Sequence, residues 1–451
     1  MEFDMIRFLV AFCAMQLLFT AVIHTAEKNK IFPYEINKEV LNNGLTVLSV
    51  PYESPGIIAY YTIVRTGSRN EVEDGKSGFA HFFEHMMFRG TKKYSSQAYN
   101  DIVKKLGSDA NAFTSDDWTA YHLVASSSAL ETIMDIESDR FQHLEYSVDD
   151  FKTEAGAILG EYNKSYSNPF LSMFEKLQEA AFTTHTYKHT TIGFLKDIQD
   201  MPNQYDYSLQ FFDRYYRPEN CIVVVVGDFD QKKLMELTNK YYGTWERGNY
   251  VAEIPKEPEQ NEEKIVTMTW KTPTLPMLML GYHSPAFSDK NIDMPALDVF
   301  SQIYFSESST LFQKLVIEKQ LIEFIEGGAE NHRDPYLFTI ITRIKDKENI
   351  EKVRDEIYQT LSEAAITPVS AERLANVKSH MRYAFAMSMN NADAVAVTLG
   401  NYLQLTGDAE SINRVYDLYE KVTPEDLVNV AKKYFSKENR TVLTLTQEET
   451  K

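Results

Sequence analysis

Residues 78–91, "GFAHFFEHMMFRGT", place two histidines and a glutamate, His81, Glu84 and His85, within five positions among phenylalanines and methionines. Helical periodicity puts His81 and His85 one turn apart on one face, with Glu84 beside both. Two neutral imidazoles at that separation can close on one small divalent cation, and zinc is the usual occupant of nitrogen-rich sites that include an oxygen ligand. Glu84 need not touch the metal; a carboxylate there can hold and deprotonate a water whose pKa the metal lowers. The order reverses the better-known H-E-x-x-H arrangement but offers the same chemistry, hydroxide delivered to a polarised carbonyl. The bland alternative is a core helix in which Phe79, Phe82, Phe83, Met86, Met87 and Phe88 pack and the histidines find hydrogen-bond partners. In a chain with only ten histidines the pattern favours the metal. Aromatic surroundings are no objection, because burial dries such a site and strengthens its electrostatics.

A third protein ligand is needed to leave one position open for water and substrate. With 65 acidic residues in the chain, composition cannot choose it. In "FKTEAGAILGEYNKSYSNP", Glu154 and Glu161 stand two helical turns apart and share a face, a spacing equally compatible with a solvated helix surface.

The elements that must position these groups follow from hydrophobic pattern. "VLNNGLTVLSVPY" and "GIIAYYTIVRTGS" read as β-branched and aromatic strands, with an Asn43-Gly44 turn in the first. A helical section is predicted over residues 77–106, a strand at "AYHLVAS", and largely helical pattern for the next hundred residues. "CIVVVVGDFD", residues 221–230, is a continuous apolar run that predicts a strand buried on both faces. The acidic, proline-containing residues 252–264 have no hydrophobic period and read as a linker. The order then restarts, with strands at "KIVTMTW", "LPMLMLGYH", "YLFTIITRI" and "TVLTLT" separated by helices. The expectation is α+β, two similar halves, each a mixed, mostly antiparallel sheet flanked by helices, with residues 31–251 bearing the motif and residues 265–451 without it.

At 451 residues, 43% apolar and 25% charged, the chain has ordinary globular composition and room for two domains of about 200 residues. A net charge of −19 without basic clusters argues against nucleic acid as partner. Arg7 followed by the apolar residues 8–23 and a polar turn at Glu27 has the plan of a cleaved export signal, residues 1–26, or a retained membrane anchor. An exported chain, periplasmic or alternatively secreted, is expected. Only Cys221 would remain after cleavage, so no internal disulfide is available.

The sequence resembles the pitrilysin and insulin-degrading enzyme family of inverted zincins, in its half-length branch related to the mitochondrial processing peptidase. The likeness runs through "NGLTVL", "GSRNE", the motif itself, "GSDANAFTSDDWTAYH", "EAGAILGEYNKSYSNP", "HTYKHTTIG", "YYRPENCIVVVVGDFD" and "VTPEDLVNVAKKYF". The resemblance implies two α+β halves around a chamber that accepts extended peptide, and one zinc per chain. It assigns His81, His85 and Glu161 as ligands, Glu84 as general base and Glu154 as a second glutamate assisting the site. "GSDANAFTS" resembles the family's strand edge beside the zinc, which makes Asn111, Ala112, Phe113 and Thr114 candidates for holding substrate as an added strand.

One departure stands out. Members that act alone carry an arginine and a tyrosine in the second half that contact substrate and the developing oxyanion. In "LFQKLVIEKQLIEF", residues 311–324, Val316 and Glu323 lie at those positions, and Gln320 lies where a glycine is expected. Neither an apolar side chain nor an anion can replace such donors, whose loss typically costs about a hundredfold or more in turnover. The expectation is therefore a zinc metalloendopeptidase subunit completed by a homologous partner in a heterodimer. Donors drawn from elsewhere, such as Tyr336 or Arg343, are an alternative, and a non-catalytic assembly subunit of the same fold is another.

Overall fold

The computed structural model describes residues 30–448; the segment read as an export signal, residues 1–26, lies outside the described residues. No helix among the described residues is long and apolar enough to cross a membrane.

The strands are β1 (Asn37–Val40), β2 (Thr46–Pro51), β3 (Ile57–Val64), β4 (Asp109–Thr114), β5 (Thr119–Ser126) and β6 (Cys221–Gly227), then β7 (Lys264–Trp270), β8 (Met277–Ser284), β9 (Ile322–Ala329), β10 (Tyr336–Ile344) and β11 (Arg440–Gln447). They form two sheets, in the orders β1-β2-β6-β3-β5-β4 and β7-β11-β8-β10-β9. In the first, β2 and β6 are parallel and the remaining pairs antiparallel. In the second, β7 and β11 are parallel and the rest antiparallel. Without β1, the two sheets have one topology, which is the duplicated α+β architecture.

β6 is buried at every position. Val223 and Val225 enter the core beneath the first half's own helices, while Ile222, Val224 and Val226 enter a separate core on the opposite face. Each such side chain contributes about 1.5–3 kcal/mol when fully buried. That opposite face is covered by a helix from the second half, Ala392–Thr406, through Val395, Leu399 and Leu403. The exchange is reciprocal. Helix Pro169–Ala181, capped by Asn168 with proline at its first position, lays Met173 and Leu177 on Met277, Met279, Leu443 and Leu445 of the second sheet.

Polar contacts lock the same junction. Asp334, between β9 and β10, pairs with Arg69 at 2.5 Å and His185 at 3.1 Å, and His332 pairs with Asp116 at 3.0 Å. Residues 252–264 are pinned rather than loose, because the Glu257 carboxylate accepts the backbone amides of Thr183, Thr184 and His185 at 2.7–2.9 Å. Against the opposing effect of burial, these donors hold Glu257 down to a pKa of about 2.

The helical run expected over residues 77–106 is broken. One helix covers Phe79–Met86 and a second Ser96–Leu106. Between them Gly90 adopts φ +103° and bridges to Ser95, a conformation open to glycine and strained for other residues.

Candidate metal centre

The Phe79–Met86 helix is short and held by its surroundings. Phe79, Phe82, Phe83 and Met86 are buried, with Phe83 stacked on Phe211 at 5.3 Å, so the apolar positions anchor one side of the helix to the core. Its N-cap is Gly78 at φ +94°, where a Cβ would stand 2.6 Å from the Ile192 carbonyl oxygen. Glycine has no side chain to cap the helix. The carboxylate of Glu71 does so instead, accepting the amides of Gly78 and Ala80 at 2.7 Å each.

The remaining side of the helix presents His81, Glu84 and His85, each offering a ligand atom within 4.8 Å of the others. Helix Val148–Ser165, started by a Ser147–Asp150 capping box, crosses beside it and brings Glu154 and Glu161 to the same place. The Glu161 Oε2 atom lies 3.6 Å from His81 Nε2 and 3.5 Å from His85 Nε2. Ligands about 2.0–2.1 Å from a tetrahedral zinc stand about 3.4 Å apart, so these donors have the spacing of a zinc triad. Glu84 offers a second carboxylate close by, but Glu161 sits evenly between the imidazoles while Glu84 lies against Thr114 of β4.

Electrostatics separates the groups further. Burial, reinforced by His85, lowers the His81 pKa to about 4, so its imidazole is neutral near pH 7 with a lone pair to give. Its Nδ1 atom is buried without a hydrogen-bond partner among the described residues. His85 is held through Nδ1 by Glu154 Oε1 at 2.9 Å, which raises its pKa and leaves Nε2 turned to Glu161. Burial works against the Glu154 charge, yet His85 and Arg89 pull its pKa below the ordinary range. Burial pushes Glu84 upward, only partly offset by Thr114 and His85. Two glutamates lining one cleft are thus driven in opposite directions, the pattern that separates a proton carrier from a fixed charge.

β4 is the outer strand of its sheet, so one side of its backbone is free to pair with an extended chain. A cleft of about 380 Å³ runs between it and the two helices, lined by Glu84, His85, Arg89, Asn111, Ala112 and Glu154. Thr114 approaches Glu84, but Phe113 points to the opposite face of the sheet and packs edge-on against Trp118 at 5.0 Å. A larger cavity, of about 710 Å³, opens in the second half beside Gln302, Arg373, Asn376 and His380. Among the described residues it gathers no comparable metal-ligand set, and chemistry rather than volume identifies the site.

Two neighbours had no role in the sequence reading. Arg89 completes the Glu154 network, and its place one turn beyond His85 was the available signal. Glu71 closes the GSRNE stretch that carries the family resemblance, but nothing in its spacing relates it to the helix it caps. In the second half, Val316 packs against the apolar core and Glu323 is exposed, 3.4 Å from Arg343. The Tyr336 hydroxyl is engaged by the Gln178 amide at 2.5 Å. Neither alternative donor is directed to the site by these contacts.

Two family models match the chain: "Insulinase (Peptidase family M16)" over residues 58–193 and "Peptidase M16 inactive domain" over residues 204–381. The chain is 30% identical to the zinc protease PqqE of Helicobacter pylori over 412 residues, covering 90% of this chain and 91% of that protein. It is 24% identical to the probable mitochondrial-processing peptidase subunit beta of Schizosaccharomyces pombe, covering 87% of each. A crystal structure of a protease from Helicobacter pylori superposes with a TM-score of 0.86 at 29% identity, covering 92% of this chain and 99% of that one. With the histidine–glutamate site in the half that matches the insulinase model, and the second half matching the inactive domain, the chain belongs to the insulinase family, peptidase family M16.

Proposed function

We propose that the chain is the zinc-bearing subunit of an exported metalloendopeptidase that hydrolyses extended peptides. His81, His85 and Glu161 hold one zinc per chain, and the observation that carries this reading is the placement of one Glu161 oxygen 3.5–3.6 Å from both imidazole Nε2 atoms. Zinc bound there supplies Lewis-acid activation of water and of a peptide carbonyl. Glu84 takes a proton from water and returns it to the leaving amine, a task suited to a carboxyl whose pKa burial has raised. Glu154, anchored by Arg89, keeps His85 in the tautomer that leaves Nε2 free. The β4 edge beside Asn111 and Ala112 holds substrate backbone as an added strand, which accepts many sequences.

A homologous partner subunit completes the site. Val316 and Glu323 provide no arginine–tyrosine pair, and a named relative is itself a subunit. The apolar residues 8–23 support export, with the periplasm as the favoured compartment.

The test is Glu84→Gln in the co-purified complex. One zinc per chain retained with peptide hydrolysis lost is the expected result; hydrolysis at the wild-type rate rejects Glu84 as base. Full activity from the isolated chain rejects the partner.

A further inference from the structure

We infer that Glu71 is a positioning residue of the metal site, setting the orientation of the first helical turn on which His81 stands; this rests on the zinc reading above. The Glu71 side chain is fully buried, and among the described residues its one basic neighbour within 4 Å is His189, at 3.8 Å, whose pKa burial lowers. A buried carboxylate without a close cationic partner is costly, and an apolar residue would fill the space more cheaply. What the carboxylate alone does is accept two amides at once, Oε2 from Gly78 and Oε1 from Ala80, at 2.7 Å each. Burial pushes the Glu71 pKa well above the usual carboxylate range, opposed by these two amide bonds, so the cap rests on the placement of its two oxygens.

Ala80 immediately precedes His81, and Gly78 is the N-cap, so the two bonds fix both the start of the helix and the direction in which its first turn faces. Glu71 is itself held firmly. The Glu71 amide bonds to the Ser68 carbonyl at 3.1 Å, and Arg69 donates its amide to the Asp116 carbonyl at 2.8 Å. The Ser68 hydroxyl bonds the Asp116 carboxylate at 2.9 Å. Residues 115–118 form the turn between β4 and β5, so the turn that ends the edge strand beside the cleft also anchors the residue that aims the helix. The imidazole of His81 and the strand edge are thereby set by one connected frame. Metal ligands need placement to within about 0.5 Å, and the cap supplies it where glycine cannot.

The experiment measures zinc affinity by chelator competition, and the cobalt(II) ligand-field spectrum, on full-length wild-type and Glu71→Gln chains, each normalised to folded protein. Glutamine keeps the shape but cannot accept both amides. Loss of affinity by about 10- to 100-fold with an altered cobalt spectrum, and a fall in kcat at near-constant KM, is the expected outcome. Unchanged affinity and spectrum in a folded variant overturn the inference, whatever happens to Tm. A wild-type chain that binds no zinc overturns the metal reading itself. Should the variant not fold, amide exchange in the wild type decides: Gly78 and Ala80 protected to the level of the core supports the clamp, and rapid exchange overturns it.

Discussion

The two halves share one sheet topology and differ in what stands between the third strand of the first sheet, or its counterpart β8, and the edge strand. In the first half that place holds an eight-residue helix with His81, Glu84 and His85 on its free side. In the second it holds Asp293–Phe305, whose Met294, Ala296, Leu297, Val299, Phe300 and Ile303 are all buried. The crossing helices differ likewise. Val148–Ser165 carries Glu154 and Glu161 at its seventh and fourteenth positions, whereas its 18-residue counterpart Ala371–Ser388 has Val377 and Ala384 there. A common scaffold can therefore carry or lack a metal-ligand set according to a handful of side chains on two helices, and function has to be argued from those.

The sharpest break in this comparison is removal of a ligand. His81→Ala should abolish zinc binding and peptidase activity, whereas His380→Ala, beside the larger cavity of the second half, should change neither. Metal analysis and peptide turnover on both variants check this; loss of zinc in His380→Ala would mean that the wrong half has been credited. A smaller effect is expected one shell out. Arg89→Met removes the cation that holds Glu154, which in turn orients His85, and should weaken zinc binding by about 10-fold with the fold intact.

How far the sequence reached depends on the range of the interaction concerned. His-x-x-Glu-His was legible because its geometry is local to one helix. Composition did not separate Glu161 from 64 other acids; the family resemblance named it, and the fold lays its helix beside the first, a contact that no periodicity encodes. Strands with β-branched runs, such as β3 and β6, could be read directly. β9, "IEFIEGGA", could not, since two glutamates and two glycines suit a strand only through pairing with β10. Nor could the exchange of Pro169–Ala181 and Ala392–Thr406 between halves, because an apolar face does not say which sheet it will cover.

Two carboxyls, one from each half, are held in opposite ways. Charged partners hold Glu154 below its ordinary range, while burial lifts Asp298, hydrogen-bonded by the Tyr419 hydroxyl, to about 7. An acid with a raised folded-state pKa keeps its proton in the folded chain after the unfolded chain has lost it, so stability falls as pH rises from about 4 to about 7. Asp298→Asn should remove this component. Its Tm relative to wild type is expected to be higher at pH 8 than at pH 4; a difference independent of pH would show that Asp298 ionises normally in the fold.

The smallest effect separates strain from function in residues 311–324. Among the described residues, Gln320 is the non-glycine at positive φ, +49°, two residues after a π-helical turn, Gln313–Glu318. Glycine reaches that conformation freely, whereas a side chain there is strained by about 1–2 kcal/mol, partly offset by the greater entropy glycine loses on folding. Gln320→Gly should therefore stabilise the chain by about 0.5–1 kcal/mol, seen as a higher denaturation midpoint at unchanged m-value. Activity of the isolated chain should not rise, because Val316 remains in the core and Glu323 remains paired with Arg343. Were relief of the backbone enough to restore turnover, the missing donors would not be what limits the second half, and the need for a partner would fall with them.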